Sequence, residues 1–249
     1  MQKEKIQELT LFSVFSALVI AMTFIPFVGY ITLPGSLSIT TLHIIVILGA
    51  LYLNNVYYGL ALGGVWGVTC LIYAYTNGTA DAVIFLDPRI SVLPRILVGL
   101  LVVLFYKLAV LTAKNKITKY ILDFVSCGLT GVLAGLLLKN ITSLVAIGIS
   151  AALVVFVALF ILFFFFKDKP YSAVIFATVM GTLSNTTLVL FAITLFGSEG
   201  AVQIVGTLQT IFSVAISLNG TLELIAAVVI VVPCYLALQK TFKGAHRKY

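Results

Sequence analysis

Charged residues are scarce in this sequence. They make up 9% of the 249 residues, against 61% hydrophobic residues, and the mean hydropathy is +1.19. A soluble domain carries about 25% charged residues, so this composition excludes a chain that folds in water. Several apolar runs reach the roughly 20 residues of a membrane-spanning helix, whereas a transmembrane barrel has shorter, alternating segments. We therefore expect an all-α integral membrane protein.

Catalytic and metal-binding motifs are also missing. The sequence has no Walker-type phosphate loop, no HExxH, no GxSxG and no CxxC. The three cysteines, Cys70, Cys127 and Cys234, fall singly inside apolar runs, without the spacing of a disulfide framework or a metal site. An intramembrane enzyme would need a nucleophile–base pair or a metal cluster. We expect no enzymatic activity, no catalytic residue, no metal ion and no cofactor.

The net charge of +7 could indicate a nucleic-acid partner. However, the basic residues form short clusters between apolar runs, which is typical of cytoplasmic loops under the positive-inside rule. With both termini inside, twelve of the 15 basic residues lie on the cytoplasmic side, Arg89 and Lys139 lie outside, and Arg95 lies within a span. This bias predicts a lipid bilayer and no nucleic acid as the partner, with an N-in/C-in topology.

The apolar runs predict about eight transmembrane helices in a single domain, residues 1–249. The approximate spans are 9–27, 38–53, 56–75, 90–111, 120–138, 141–166, 171–196 and 220–239. The apolar stretch 201–218 contains glycine and serine, and we interpret it as an outer loop with a surface-lying or re-entrant helix; a ninth span is the alternative. An even number of spans agrees with the charge bias, because an odd number would place one basic terminus outside.

Two charged residues lie near the outer ends of spans, where charge is costly and faces a cavity or a partner. Arg95 follows Pro94, and it either snorkels to the outer headgroups or binds an anionic ligand. Glu223, in the first turn of the last span, is an acid stabilised by the helix dipole, a ligand contact or a partner of Arg95. Asp87 is the other plausible acidic neighbour of Arg95.

Two uncharged polar residues also lie within spans. Asn185 lies in the run Ser184–Thr187, and it forms either interhelical hydrogen bonds or ligand contacts. His43 lies in the outer half of the second span and is either structural or a ligand contact. Long outer loops over a tight inner turn at 53–56 predict a site that opens outward.

Small residues recur at four-residue spacing, which lets helices approach closely. Gly59, Gly63 and Gly67 share one face of the third span, and Ala17 and Ala21 share one face of the first. We interpret the glycines as internal packing, and the alanines alone would support the same interpretation.

Five segments carry a resemblance to a known family. They read FIPFVGYITLPGSLSITTLHIIVILGALYL, NVYYGLALGGVWGVTCLI, DPRISVLPRILVGLL, GTLSNTTLVL and NGTLELIAA. Together they resemble the substrate-binding S-component of energy-coupling factor (ECF) vitamin transporters, most closely the pantothenate branch. The first segment has the family's pattern at Pro26, Gly29, Tyr30, Thr41, His43 and Gly49. The resemblance covers about two thirds of the chain.

The resemblance implies a six-helix core that binds a water-soluble vitamin near the outer face of a bacterial plasma membrane. Residues 119–166 would then be a two-helix insertion between core helices four and five. The implied partners are a transmembrane coupling protein and two cytoplasmic ATPase subunits, which together form the ECF module. The first helix would contact the coupling protein through Ala17 and Ala21, and the loaded subunit would topple in the membrane to release its ligand.

The resemblance also implies roles for the polar residues. Arg95 would pair with the ligand carboxylate, and hydrogen bonds to amide and hydroxyl groups would come from His43, Asn185, Asn219 and Glu223. Tyr30 and Asp87 complete the expected site.

The sequence leaves other functions open. Within the family, the vitamin could be pyridoxine, cobalamin or folate instead of pantothenate. A standalone ion-coupled secondary transporter is the alternative of another class, and it would usually show inverted repeats and an acid in the middle of the membrane. We find neither feature clearly, since Glu223 lies near the end of its span.

Overall fold

The computed structural model describes residues 2–25, 28–33, 37–77, 84–112, 171–197 and 221–241. Within these ranges the chain forms seven helices and one two-stranded hairpin. In chain order they are α1 Gln2–Phe24, β1 Tyr30–Leu33, β2 Leu37–Thr40, α2 Leu42–Leu53, α3 Val56–Asn77, α4 Pro88–Ser91, α5 Leu93–Thr112, α6 Tyr171–Phe196 and α7 Thr221–Thr241. The described part has 5 helical segments that are long and apolar enough to cross a membrane: α1, α3, α4 with α5, α6 and α7.

The helices alternate in direction, and side-chain contacts fix the directions. Phe12 lies 5.5 Å from Tyr58 between ring centroids, and Phe24 lies 6.2 Å from Tyr73, so α1 and α3 are parallel. The two-residue turn after α2 makes α2 antiparallel to α3. Its first residue, Asn54, has φ 45° and caps the helix through its N–H to Ala50 O. The tight turn expected at 53–56 is therefore confirmed.

The second predicted span, 38–53, is wrong in its first part. Residues Leu37–Thr40 form the second strand of the hairpin, and α2 has only 12 residues. At 1.5 Å per residue this helix is about 18 Å long, shorter than the roughly 30 Å hydrocarbon core. A Ser- and Thr-containing apolar strand followed by an apolar helix reads as one continuous run, which explains the error.

Glycines bring α3 and α5 into the closest helix contact of the described bundle. A Cβ added to Gly59 would lie 2.5 Å from Gly99 O, and one added to Gly63 would overlap Arg95 O. A Cβ on Gly67 would lie 2.7 Å from Val92 Cα. Any side chain larger than hydrogen would therefore force the helices apart, and the predicted role of these glycines in internal packing is confirmed.

The fourth predicted span, 90–111, begins with a break. Asp87 caps the short helix α4, with Pro88 at the first helical position, and the chain turns at Val92 before α5. The carbonyl of Ile90 lies four residues before Pro94, which has no N–H to donate to it. The break leaves this carbonyl free to accept from another donor, which is Nη1 of Arg95.

The bundle has two chemically different ends, which we call the hairpin end and the tyrosine end. The hairpin end contains β1, β2 and the N-terminus of α7, because Thr40 N donates to Glu223 Oε1 at 2.7 Å. At the tyrosine end, the hydroxyls of Tyr106 and Tyr235 lie 3.0 Å apart, and Gln239 Nε2 donates to Tyr235 Oη at 3.0 Å. This network joins α5 to α7 inside the bundle.

The described lysines agree with the orientation that the sequence predicts. Lys3, Lys5, Lys107 and Lys240 all lie toward the tyrosine end, whereas the hairpin end carries Arg89 and Arg95. The N-in/C-in topology stays a prediction, with the tyrosine end on the cytoplasmic side. The proposed insertion, 119–166, and the stretch 201–218 lie outside the described residues.

Candidate functional site

Most of the buried polar atoms without hydrogen-bond partners in the described residues lie toward the hairpin end; Ser16 Oγ on α1 and Asn54 Oδ1 in the tight turn at the other end are the exceptions. Those toward the hairpin end include both ring nitrogens of His43, Trp66 Nε1, Ser91 Oγ, Arg95 Nε and Asn185 Oδ1. Most buried polar atoms in proteins are hydrogen-bonded, so a group of exceptions in one region needs an explanation such as a ligand or bound water. This region is the candidate site.

Arg95 is the charged centre of the candidate site. Only 8% of the residue is exposed, so it lies inside the bundle, which favours the interior interpretation over snorkelling to the headgroups. Its Cζ lies 5.1 Å from the ring centroid of Phe85 and 5.6 Å from that of Trp66. Two aromatic faces therefore stabilise the guanidinium from α3 and from the segment before α4.

One guanidinium nitrogen of Arg95 is used by the backbone. Nη1 donates to Ile90 O at 2.7 Å, the carbonyl that Pro94 leaves without its helical donor. This bond holds the side chain in place, while the buried Nε makes no hydrogen bond. Pro94 and Arg95 together therefore give a guanidinium that is held in one orientation and still has N–H groups free to donate.

No carboxylate pairs with Arg95 among the described residues, and the acidic neighbours expected from the sequence have other partners. Asp87 pairs with Arg89, whose Nη2 lies 2.7 Å from Asp87 Oδ2. The hydrogen bonds from Arg89 hold the pKa of Asp87 below its ordinary value. Glu223 accepts from Thr40 N. Of the alternatives that the sequence leaves open, pairing of Arg95 with Asp87 or Glu223 is not the one seen among the described residues, because other groups bind both carboxylates.

His43 and Asn185 lie on facing sides of α2 and α6. A Cβ on Gly181 would lie 3.3 Å from Ile47, so these two positions face each other. His43 is four residues before Ile47, and Asn185 is four residues after Gly181. Because the two helices are antiparallel, both residues lie about one turn, or 6 Å, from that contact toward the hairpin end.

Arg95 lies slightly nearer the hairpin end than this pair. The same Gly181 faces Val102 on α5, and Ile90 shares a cluster with Ala192 on α6, so α5 and α6 are antiparallel. Arg95 is seven residues, about 10 Å, from Val102 and on the same face. The structure thus brings Arg95, His43 and Asn185 to similar depth on three neighbouring helices.

The environments of His43 and Asn185 suit hydrogen bonding to a ligand. His43 is 0% exposed, and neither of its ring nitrogens makes a hydrogen bond of standard geometry. The hydroxyls beside Asn185 do not bridge to other helices: Ser184 and Thr187 donate to Met180 O and Leu183 O, one turn earlier in α6. Asn185 Oδ1 remains a buried acceptor.

The other expected residues lie apart from this centre or outside the described ranges. Tyr30 begins β1, where it pairs with Thr40 across the hairpin. Asn219 lies outside the described residues. Ala17 and Ala21 lie on an exposed face of α1, where they are free to contact a partner or lipid.

Sequence reasoning missed three residues of the site: Trp66, Phe85 and Ser91. Trp66 is the single tryptophan of the chain and is almost fully buried beside Arg95. A lone tryptophan in the glycine-rich third span is the signal that could have identified it. Phe85 and Ser91 carried no such signal, since their role depends on the break between α4 and α5.

The chemistry of this arrangement is that of a binding site. A buried cation with an unpartnered N–H, an imidazole and a carboxamide can together hold an anionic molecule that also carries hydrogen-bonding groups. No group of three or more His, Cys, Asp or Glu residues that could hold a metal ion occurs in the described ranges.

Comparison with known proteins identifies a distant relative. No protein-family model matches the chain. The chain is similar to "Pantothenate transporter PanT" of Leuconostoc mesenteroides subsp. mesenteroides, with 31% identity over 111 residues. The alignment covers 41% of this chain and 52% of the relative, so the chain spans about half the length of that protein. Together with the five membrane-capable segments, this similarity makes the chain a multi-pass membrane protein with distant likeness to a transporter.

Proposed function

We propose that this chain is the substrate-binding S-component of an ECF-type vitamin importer in the bacterial plasma membrane, and that its vitamin is pantothenate. The observation that carries the proposal is the buried guanidinium of Arg95, which has no carboxylate partner among the described residues. An uncompensated charge is expensive in a membrane. A ligand carboxylate would supply the missing partner.

Pantothenate fits the chemistry of the site. It carries a carboxylate at one end, and an amide and two hydroxyl groups along the rest of the molecule. The carboxylate would accept from Arg95, which has five N–H donors and uses one of them on Ile90 O. His43 and Asn185, at similar depth on neighbouring helices, would bond the amide and hydroxyl groups. The similarity to a pantothenate transporter supports this choice over pyridoxine, cobalamin or folate.

The chain would bind and deliver its substrate without catalysis of its own. Its sequence contains no nucleotide-binding motif, so uptake would depend on the coupling protein and two ATPase subunits of the ECF module. The exposed small-residue face of α1, at Ala17 and Ala21, would be the docking surface.

Reconstitution tests this proposal. The purified chain is placed in liposomes alone or together with an ECF module, and uptake of radiolabelled pantothenate is measured with ATP enclosed at the cytoplasmic side. We expect uptake only with the complete module and ATP. Sustained uptake by the chain alone, driven by a proton or sodium gradient, would identify a secondary transporter and contradict the proposal.

A further inference from the structure

The hairpin is attached to the bundle differently on its two sides. On the β1 side, Gly29 lies so close to α1 that an added Cβ would overlap Met22 O, and Gly29 O accepts from Thr41 N at 3.0 Å. On the β2 side, the attachment to α7 includes a hydrogen bond from Thr40 N to Glu223 Oε1, at 2.7 Å. Backbone packing therefore fixes one side, and a side chain holds the other.

The register of the hairpin explains why Thr40 needs this partner. Thr41 N donates to Gly29 O, so residues 29 and 41 form a hydrogen-bonded pair. Hydrogen-bonded and non-hydrogen-bonded pairs alternate in an antiparallel ladder. Tyr30 and Thr40, the next pair, are therefore non-hydrogen-bonded, and the N–H of Thr40 points away from β1 toward the open edge.

The carboxylate of Glu223 accepts the N–H of Thr40 at that edge. It lies in the first turn of α7, where the helix dipole favours an acidic side chain, and only 7% of the residue is exposed. No basic side chain pairs with it in the described ranges. Its carboxylate thus serves the backbone of the hairpin, although the sequence suggested a ligand contact.

We propose that Glu223 is a positioning residue that latches the hairpin to α7 and thereby controls entry to, and exit from, the site at Arg95, His43 and Asn185. The strand β2 ends at Thr40, α2 begins two residues later at Leu42, and His43, the second residue of α2, is fully buried. Release of Thr40 from Glu223 detaches β2 from α7, while β2 stays paired with β1 and Gly29 stays packed on α1. The inference rests on the proposed substrate-binding function.

The experiment uses the fluorescence of Trp66, the single tryptophan, in the full-length detergent-solubilised protein. Stopped-flow mixing with pantothenate gives association and dissociation rates, and acrylamide quenching measures access to the site without any ligand. The variants are Glu223→Ala, which removes the acceptor, and Glu223→Gln, which keeps an oxygen acceptor. Glu8→Ala on α1 is the matched control.

We expect Glu223→Ala to raise both rates about three- to tenfold, with little change in Kd, because loss of the hydrogen bonding between Thr40 and Glu223 shifts the opening equilibrium by about that factor. Acrylamide quenching should rise in the same variant, whereas Glu223→Gln and Glu8→Ala should resemble the wild type. Faster dissociation with unchanged association would make Glu223 a ligand contact and overturn the proposal, and so would unchanged rates.

The two readouts separate the latch from the proposed function. If the wild type does not bind pantothenate, the substrate assignment fails. Quenching by acrylamide then decides the latch alone: greater access in Glu223→Ala than in Glu223→Gln supports it, and equal access contradicts it.

Discussion

Arg95 donates from Nη1 to the carbonyl oxygen of Ile90 at 2.7 Å, and that carbonyl is free because Pro94 has no N–H. The bond fixes a buried guanidinium between Trp66 and Phe85 at the hairpin end of the bundle. The break between α4 and α5 thus supplies the free carbonyl that holds the guanidinium in place.

The glycine contact beneath Arg95 gives the first prediction. Gly63→Ala should lower the free energy of unfolding by about 1–3 kcal/mol, because the added Cβ would overlap Arg95 O and push α5 away. The same displacement should weaken pantothenate binding. Thermal unfolding and ligand titration measure the two effects. Gly64→Ala is the matched control, since its Cβ would meet only Ile96 Cγ1 at 3.8 Å. Equal stability of the two variants would contradict the packing argument.

The tyrosine end gives the second prediction. Tyr235→Phe removes the hydroxyl that meets Tyr106 and Gln239, and it should destabilise the fold by about 1 kcal/mol. Ligand affinity should remain at the wild-type value, because the site lies at the other end. Tyr57→Phe, at a residue 81% exposed, is the control for thermal unfolding. A large loss of affinity in Tyr235→Phe would place the ligand at the tyrosine end instead.

The third prediction concerns docking on the ECF module. Ala17→Trp or Ala21→Trp should abolish complex formation and uptake but leave pantothenate affinity near normal, because both residues are exposed on α1. Co-purification with the coupling protein measures the complex. Val229→Trp, at an exposed position of α7, should leave the complex intact. If affinity falls while the complex survives, the α1 face serves the fold and not the partner.

The fourth prediction concerns orientation. In a background without the native cysteines, Arg89→Cys at the hairpin end should react with a membrane-impermeant thiol reagent added outside intact cells. Tyr57→Cys, after the tight turn at the opposite end, should react only after permeabilisation. The positive-inside bias is the physical reason. The reverse labelling pattern would invert the topology.

Much of the fold was predictable because membrane spans are long and apolar. The runs at 56–75, 171–196 and 220–239 correspond closely to α3, α6 and α7. The hairpin was not predictable from the same signal, since its apolar second strand continues directly into α2. Hydrophobicity does not distinguish strand from helix over so few residues.

The polar residues that line the candidate site could be picked out from the sequence, but their contacts could not. Polar and charged side chains are costly to bury in a membrane, so Arg95, His43 and Asn185 stand out in an apolar sequence. The contact of Glu223 with Thr40 joins residues 183 positions apart, so only the packed bundle reveals it. The aromatic faces around Arg95 likewise depend on the helix break and on the glycine contact between α3 and α5.

Calorimetric titration of pantothenate tests the central claim most directly. Arg95→Ala should weaken binding about tenfold to a hundredfold or more, because hydrogen bonds to charged groups contribute about 1.5–3 kcal/mol. Arg95→Lys should not restore the affinity, since lysine lacks the planar fork, and Arg89→Ala at the same end should bind like the wild type. Equal affinities for wild type, Arg95→Lys and Arg95→Ala would remove Arg95 from the site, and a wild type that binds no pantothenate would contradict the account.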